Sequence, residues 1–477
     1  MRLSRTLMAR GFASLDNTTP RAGRQRANNS RAFYSTGVRM NSTSTRLPPL
    51  SIMPASILFR SYVLTSVLAS PRILKLCLPL MTKMANSNSA LLNPDRNHVL
   101  HFITRRLWFD NFVAGENAIE VRQTVNDVKK MGYKGVILGY AREVNVTGGD
   151  TNFESPNPVG NNPDAAYVKE WKNGTLKTLS LIGKGDLLAV KFSGAGDATL
   201  DAMACGDDPP QHMWEAMEEI CDAAARQGSR LWVDAEQQDL QPTIDEWTIR
   251  LMRKYNKGGT ALVYTTMQAY LKRTTDNIGR HLRLAQDEGW ILAVKLVRGA
   301  YIATEQRCLI HDTIQDTHSA YDTIAKNMLR QEYPGVPSSK PYPRSELFLA
   351  THNEDSIKLA WSIQTSLVQA GRPTVELGFG QLQGMADEVG CSLVQLCQDD
   401  KSDNTVARQT IEEARRPGTP NAFKCLSWGS TRECLQFLLR RVHENADAFG
   451  RTKFWAMSLR SEILRRFKNL TRFGTTR

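Results

Sequence analysis

The segment Leu435–Asn445 carries two adjacent arginines, Arg440 and Arg441, one helical turn before Glu444. Guanidinium groups present their donors in a planar fork that binds carboxylates in a bidentate manner, so this pair suits a small anionic ligand. The plainer alternative is a solvated helix face with a surface ion pair between Arg440 and Glu444. The segment alone favours this alternative, so the decision depends on the rest of the chain.

The apolar residues of this segment recur at the spacing of one helix face: Leu435, Leu438, Leu439 and Val442. At ~100° per residue, the two arginines, Glu444 and Phe437 share the opposite sector. The spacing therefore predicts an amphipathic helix with one buried face and one polar face.

Before this helix, short apolar runs alternate with segments of helical period, a pattern typical of βα units and a parallel sheet. The candidate strands are Gly135–Tyr140, Leu187–Phe192, Arg230–Asp234, Ala261–Met267, Ile291–Val297, Glu346–Ala350, Thr374–Gly378 and Phe423–Leu426. The candidate helices include Met213–Arg226, Ile244–Tyr255, Asn277–Glu288, Thr313–Leu329, Asp355–Ala370 and Met385–Cys397. Eight repeats over roughly 300 residues favour an α/β fold of the closed (β/α)8 TIM-barrel type over an open doubly wound sheet.

In such a barrel, functional groups lie at the carboxyl ends of the strands. Polar residues end or follow several of the candidate strands: Lys191, Asp234, Gln268, Lys295, Arg298, Thr351, His352, Asn353 and Gln381. Each one alone could be an ordinary strand-end residue, such as a lysine that extends to solvent. Their concentration at one rim predicts a polar mouth.

The amino-terminal segment has the composition of a targeting sequence. Residues 1–46 are rich in arginine, serine and threonine and contain one acid, Asp16, which predicts a mitochondrial transit peptide with cleavage near Tyr34 or Ser35. A disordered basic arm is the alternative. Because this arm lacks lysine blocks, the formal charge of +13 does not lead us to expect a nucleic-acid partner.

The next region, residues 47–131, is predicted to be a helical extension, with one helical pattern from Val99 to Lys130. Prolines and charges interrupt the apolar residues 47–93, so a membrane-spanning helix is not expected, although peripheral contact with a membrane remains open. The barrel is predicted over residues 132–470, with polar insertions near 144–173 and 399–420. The cysteines show no zinc-ligand spacing, so no structural metal is expected.

Several motifs resemble the mitochondrial proline dehydrogenase family of the eukaryotic, fungal type, over about residues 95–465. The most specific are Val190–Ser193, Asp234–Glu236, Gln268–Tyr270, Lys295–Tyr301, Ala350–Asn353, Phe379–Met385 and Leu438–Asn445. The family binds FAD in a distorted (β/α)8 barrel without a Rossmann fold, and this sequence has no G-x-G-x-x-G motif between a strand and a helix.

The resemblance implies an enzyme that oxidises L-proline to 1-pyrroline-5-carboxylate in the mitochondrial matrix, with ubiquinone of the inner membrane as electron acceptor. The implied FAD contacts are Asp234, Gln268, Lys295, Val297, Arg298, Gly299, Ala300, Thr351 and His352. The implied substrate and catalytic residues are Lys191, Asp234, Leu382, Cys425, Arg440, Arg441 and Glu444.

One position departs from the family pattern. Family members that oxidise proline usually carry Tyr-x-Pro-x-Gly where the last strand meets the last helix, and this chain has Cys425 and Ser427 at the Tyr and Pro positions. The lost phenol leaves open a paralogue that prefers hydroxyproline or another cyclic amino acid. A flavin-binding protein with weak catalysis, acting through protein contacts, is the alternative from another class, and the intact charged positions argue against it.

Overall fold

The computed structural model describes residues 47–141, 163–402, 421–444 and 449–473. The predicted transit peptide, residues 1–46, therefore lies outside the described residues, as do most of the two predicted insertions. The elements described below all belong to one compact unit, Pro48–Arg477.

Eight parallel strands form a closed barrel in chain order, and the last strand pairs with the first. They are β1 Gly135–Tyr140, β2 Leu187–Val190, β3 Arg230–Val233, β4 Val263–Gln268, β5 Leu292–Val297, β6 Ser345–Ala350, β7 Glu376–Leu382 and β8 Asn421–Trp428. This confirms the predicted (β/α)8 barrel. Each candidate strand overlaps an observed one, and β1 has the predicted bounds.

One or two helices follow each strand along the chain. They are α6 Pro163–Leu179, α7 Asp197–Cys205, α8 Gln211–Gln227, α9 Gln241–Tyr255, α10 Thr274–Glu288, α11 Ile314–Arg330, α12 Glu354–Gln369 and α13 Asp387–Ser402, then α14 Thr431–Glu444 and α15 Phe449–Phe473. The predicted insertion at 144–173 is thus too long, because α6 begins at Pro163 and buries Val168 in the core. The predicted insertion at 399–420 likewise begins too early, because α13 continues to Ser402.

Two glycines explain why the seventh strand is longer than its prediction, which ended at Gly378. A Cβ atom added at Gly378 or Gly380 would lie 2.7 or 2.8 Å from the Phe348 ring. These glycines therefore make room for an aromatic side chain inside the barrel and do not end the strand. As a result, β7 continues to Leu382, which lies at the carboxyl end of the strand.

The helical extension consists of α1 Ala55–Leu68, α2 Pro71–Asn86, α3 His98–Thr104, a π-helical turn Arg105–Phe109, α4 Asp110–Phe112 and α5 Ala118–Lys130. The predicted continuous helix from Val99 to Lys130 is therefore wrong. The chain is extended at Val113, the Ala114 N–H donates to the Ser427 carbonyl of β8, and Asn117 caps the new helix. A long-range hydrogen bond and a capping residue thus override the apolar periodicity.

A buried ionic network closes the amino-terminal end of the barrel. Arg230 donates to Glu346 at 2.7 Å, the Tyr264 hydroxyl donates to the same carboxylate, and the Ala261 N–H donates to its other oxygen at 3.0 Å. Burial raises the pKa of Tyr264 well above its ordinary value, and the Glu346 carboxylate raises it further, so the phenol stays protonated as a donor.

We expect Glu346→Ala to destabilise the protein by about 3–5 kcal/mol, because it leaves the buried Arg230 cation without its close partner. The matched control is Asp287→Ala, which removes a carboxylate from an exposed pair with Lys340, worth less than about 1 kcal/mol. Urea unfolding followed by far-ultraviolet circular dichroism measures both. Equal losses in the two variants would contradict a structural role for the network.

Candidate active site

A cavity of about 460 Å3 lies at the carboxyl ends of the barrel strands. Its lining includes nearly all of the residues predicted from the sequence: Lys191, Asp234, Gln268, Lys295, Val297, Arg298, Gly299, Ala300, Thr351, His352, Leu382, Cys425 and Arg441. Arg440 is not part of this lining. The barrel therefore collects polar residues from distant parts of the sequence at one rim.

An ion pair between β5 and the end of β3 forms part of the cavity wall. The Lys295 Nζ atom lies 2.5 Å from Asp234 Oδ1 and 4.6 Å from the centroid of the Trp232 ring. Both partners are largely shielded from solvent, with side-chain exposures of 13% and 22%. The carboxylate and the ring therefore hold the ammonium group in one place at the cavity surface.

Arg298, directly after β5, is held by side chains from several elements. Its guanidinium donates to His318 Nδ1 at 2.9 Å, to the Thr351 hydroxyl at 2.8 Å and to the Ser356 hydroxyl at 2.8 Å. It also stacks 4.2 Å from the Tyr321 ring. These contacts fix a permanent positive charge at the rim, and they include His318, which no sequence pattern singled out.

The loop after β5 approaches the cavity through its backbone. Gln268 accepts a hydrogen bond from the Ala300 N–H at 3.2 Å and donates to the Glu236 carbonyl at 3.3 Å. Gly299 has a φ of +151°, and a Cβ atom there would lie 2.4 Å from the Tyr270 ring. Only glycine fits this close passage of the loop over the aromatic ring.

Residues after β6 and β7 orient each other across the rim. The Leu382 N–H donates to His352 Nε2 at 3.1 Å, so this ring nitrogen acts as an acceptor. The Asn353 N–H donates to the Thr351 hydroxyl at 3.1 Å, and the Asn353 side chain caps α12. His352 and Leu382 thus reach the cavity from a rigid backbone.

Lys191 reaches the cavity from the end of β2. Its Nζ atom lies 3.5 Å from the Tyr301 hydroxyl, which in turn donates to the Ala235 carbonyl at 3.2 Å. The carboxylate of Glu236 is buried nearby and accepts from the Ser193 N–H at 3.1 Å. Burial raises the pKa of Glu236, although Lys191 counteracts this effect. Tyr301 stands in a family motif quoted above, yet the pattern did not assign it a site role.

The helix α14 presents its two arginines differently. Its apolar stripe is buried, with Leu435 and Leu439 against Met81 of α2, and Leu438 against Phe109 and Val113. This packing points Phe437 and Arg441 into the cavity, with the Arg441 guanidinium 5.2 Å from the Phe437 ring.

Arg440 instead donates to the Ala141 carbonyl after β1 at 3.4 Å. The predicted arginine pair is therefore divided, because adjacent residues on a helix point about 100° apart. Glu444 belongs to α14, but its side chain lies outside the described residues, so its predicted role stays a prediction.

Cys425 lies in the wall of the barrel between the cavity and its neighbouring strands. Its register partners are Ile137 of β1 and Leu382 of β7. Burial raises the pKa of the Cys425 thiol to about 11, so it is protonated at neutral pH and is a poor nucleophile. The residue therefore contributes shape and polarity to the site.

The lining suits a ligand with polar edges and negative charge. Cations are present at Lys295, Arg298 and Arg441, and backbone N–H groups approach through the loop after β5. Two buried polar atoms of the wall, the Thr266 hydroxyl and the Trp232 indole N–H, have no hydrogen-bond partner among the described residues. Because an unsatisfied buried group costs about 1–3 kcal/mol, these atoms fit a ligand that offers partners to them.

Trp232 and Thr266 went unrecognised in the sequence because they alternate with core residues within buried strands. Within the described residues, no group of three or more potential metal ligands was found.

Fold and cavity together define a (β/α)8-barrel protein with a cationic site at the carboxyl ends of its strands. A family model described as proline dehydrogenase matches residues 121–453 of the chain. The chain belongs to the proline dehydrogenase family.

Individual relatives agree with this assignment. The probable mitochondrial proline dehydrogenase of Schizosaccharomyces pombe is 32% identical over 269 residues, which cover 52% of this chain and 50% of that protein. Human mitochondrial proline dehydrogenase 1 is 31% identical over 273 residues, covering 54% of this chain and 39% of that protein. The match thus spans half or less of the length of these relatives.

Among solved structures, proline utilization A from Bdellovibrio bacteriovorus, inactivated by N-propargylglycine, aligns with a TM-score of 0.58. The alignment covers 84% of this chain and 40% of that chain at 14% identity, so it supports the fold alone.

Proposed function

We propose that the chain is an FAD-dependent dehydrogenase that oxidises L-proline to 1-pyrroline-5-carboxylate and passes the electrons to ubiquinone. The observation that carries this proposal is the cavity that brings Arg441, Lys191 and the Lys295–Asp234 pair to one strand-end mouth. Membership of the proline dehydrogenase family supports the substrate.

Gln268, Val297, Arg298, Gly299, Ala300, Thr351 and His352 would hold the flavin, with Asp234 at its edge. Bound FAD would take the hydride that leaves C5 of proline at its N5 atom. Lys295 and Arg298 are held rigidly by Asp234, His318 and Thr351, so their positive charges are preorganised for the negative charge that a reduced flavin develops.

The amino acid would lie between α14 and the ends of β2 and β7. Arg441 and Lys191 would bind its carboxylate by charge-assisted hydrogen bonds. Leu382 would pack on its ring, and Cys425 would form the adjacent wall. Arg440 would support the site from its contact with the Ala141 carbonyl. Glu444 would orient an arginine, as the family resemblance implies.

The direct test is the visible absorbance spectrum of the purified protein, followed by anaerobic addition of L-proline or hydroxyproline. We expect a bound flavin whose absorbance proline bleaches. Stronger bleaching by hydroxyproline would favour the paralogue alternative, which the small Cys425 side chain supports. A bound flavin that neither amino acid bleaches would favour the catalytically weak interaction protein, and absence of flavin after refolding would remove all of these functions.

We also propose a mitochondrial location with peripheral attachment to the inner membrane. The fungal relative and the human relative described above both have the word "mitochondrial" in their names. No helix in the part of the chain that the structure describes is long and apolar enough to cross a membrane. The helices α1 and α2 expose Phe59 and Leu76, at 61% and 78%, and their sequences contain no acid.

We therefore expect alkaline carbonate to release the protein from mitochondrial membranes. With anionic vesicles, Leu76→Glu should weaken binding by about tenfold or more, because burial of a leucine is worth about 1.5–3 kcal/mol. The matched control is Leu359→Glu on the barrel helix α12, which is 40% exposed. Retention in the carbonate pellet, or equal effects of both variants, would contradict peripheral binding through α2.

A further inference from the structure

A buried carboxyl group lies on helix α9, outside the lining of the cavity. Asp245 is 2% exposed, and neither the proposed flavin site nor the proposed amino-acid site includes it. Its Oδ1 atom accepts from the Gln241 side-chain amide at 2.8 Å, and its Oδ2 atom accepts from the Asn277 side-chain amide of α10 at 3.0 Å. A carboxylate satisfies both donors, whereas an asparagine would turn its own NH2 group toward one of them.

The Gln241 amide connects this carboxylate to the segment after β3. While its NH2 group donates to Asp245, its Oε1 atom accepts from the Glu236 N–H at 2.7 Å. A rotated amide would place its NH2 group against the Glu236 N–H, so that two donors would face each other. Gln241 and Glu236 are only 7% and 6% exposed, so solvent does not readily replace a lost partner. The Asp245 carboxylate therefore selects the amide orientation in which Gln241 holds the backbone of Glu236.

From Glu236, hydrogen bonds continue to both parts of the proposed active site. The Glu236 carbonyl accepts from Gln268, and Gln268 accepts from the Ala300 N–H in the loop after β5. The Glu236 carboxylate accepts from the Ser193 N–H, two residues after Lys191. A displacement of the Glu236 backbone would thus reach proposed contacts to the flavin and to the amino acid.

The Asp245 carboxyl group changes its charge near neutral pH. Burial raises its pKa to about 7, while the amide of Gln241 and the positive charge of Arg280 oppose this increase. Glu246 of α9 adds to the increase, and it pairs with Arg280 of α10 at 2.7 Å. Above this pKa, the carboxylate accepts at both oxygens. Below it, one oxygen carries a proton and no longer matches the amide donor that faces it.

We propose that Asp245 is a positioning residue for the oxidation of the amino acid, an inference that rests on the proposed function. Asp245 touches neither ligand. Its carboxylate fixes the Gln241 amide, which holds Glu236 and, through Gln268, the loop that approaches the flavin. Protonation of Asp245 releases the amide to rotate, so the site is well ordered in the carboxylate form and less well ordered in the neutral form.

The first test compares Asp245→Asn with Glu246→Gln, its neighbour on α9. Both variants remove one negative charge from this helix, but the Glu246 side chain is 56% exposed. The readout is the rate at which saturating proline bleaches the flavin under anaerobic conditions. For Asp245→Asn, we expect a rate about five- to tenfold below that of the parent at about pH 8.5, and less than about threefold below it at about pH 6.

The dependence of this loss on pH separates positioning from a general structural role. The parent loses its own advantage as Asp245 becomes protonated, so the two rates converge at low pH. Glu246→Gln should stay within about twofold of the parent at both pH values. A loss in Asp245→Asn that is the same at both pH values, or an equal loss in Glu246→Gln, would overturn the proposal.

A double variant, Gln241→Glu with Asp245→Asn, exchanges the two groups and restores the pattern of donors and acceptors. The carboxylate at position 241 accepts from the Glu236 N–H and from the amide at position 245, whose oxygen accepts from Asn277. We expect its rate at about pH 8.5 to lie within about threefold of the parent. Gln241→Glu alone should be at least as slow as Asp245→Asn, because two carboxylates then face each other.

Flavin absorbance and far-ultraviolet circular dichroism show that each variant is folded and loaded with cofactor. Because the double variant keeps every hydrogen bond of the chain, its failure to fold or to recover the rate would overturn the proposal, even where Asp245→Asn itself does not fold. A parent protein whose flavin proline does not bleach would instead overturn the proposed function.

Discussion

Arg441→Met is expected to raise the KM for proline by more than about tenfold, while Arg440→Met changes it by less than about twofold. Arg441 lines the cavity, whereas Arg440 donates to the Ala141 carbonyl. A charge-assisted hydrogen bond is worth about 1.5–3 kcal/mol, which corresponds to about 10- to 150-fold in binding. Methionine keeps the length and apolar packing of the stem, so the change tests the charge.

Steady-state kinetics with a dye acceptor give the KM values, and the flavin absorbance of each variant shows that the cofactor is retained. Arg440→Met is the matched control, since it removes the same charge from the neighbouring position of α14. Unchanged KM values in both variants would mean that this helix face is a solvated surface and does not bind the amino acid. Equal large increases would mean that Arg440 turns into the cavity when the amino acid binds.

Most of the fold could be predicted from the sequence because each βα unit carries its own local signal. Strand β1 has the predicted bounds, and the candidate helices lie close to α8–α13. The errors occur where a contact with a residue distant in the sequence determines the local structure. Gly378 and Gly380 suggest a strand end until the Phe348 ring explains them, and the break at Val113 depends on a hydrogen bond between Ala114 and β8.

The same holds for the candidate site: some of its residues could be predicted from local patterns, and others depend on tertiary contacts. Residues at strand ends, such as Asp234 and Lys295, could be predicted because a parallel barrel brings the carboxyl ends of all its strands to the same rim. The contributions of Trp232 and Thr266 could not be predicted, because within a buried strand they are indistinguishable from core residues. The different orientations of Arg440 and Arg441 depend on how α14 packs against α2, which the helical period alone does not specify.

Cys425 stands at the position where the resemblance to the family implies a tyrosine, and the structure gives its surroundings. Its side chain lines the cavity between Ile137 and Leu382, and its Sγ atom would lie 3.5 Å from a Cβ added at Gly380. A tyrosine at this position would be flanked by the neighbouring barrel strands β1 and β7. Its ring and hydroxyl would therefore extend into this cavity, where the amino acid is proposed to bind.

We expect Cys425→Tyr to raise kcat/KM for proline and to lower the ratio of hydroxyproline to proline oxidation. The new ring restores apolar contact to proline and fills the volume that could accept the hydroxyl of hydroxyproline. One such change in a pocket commonly shifts discrimination by about 1–3 kcal/mol, or roughly 10- to 200-fold.

Both substrates are measured with the same water-soluble dye as electron acceptor, so that the comparison does not depend on the reaction with a quinone. Cys425→Ser is the control, because it keeps the volume of the side chain and changes only its terminal atom. If Cys425→Tyr leaves the substrate ratio unchanged, the amino-acid ring does not reach β8, and the preference must be determined by Leu382 and α14. If the ratio falls as expected, the cysteine widens the site, and this chain has gained access to larger or hydroxylated rings at the expense of contact with proline.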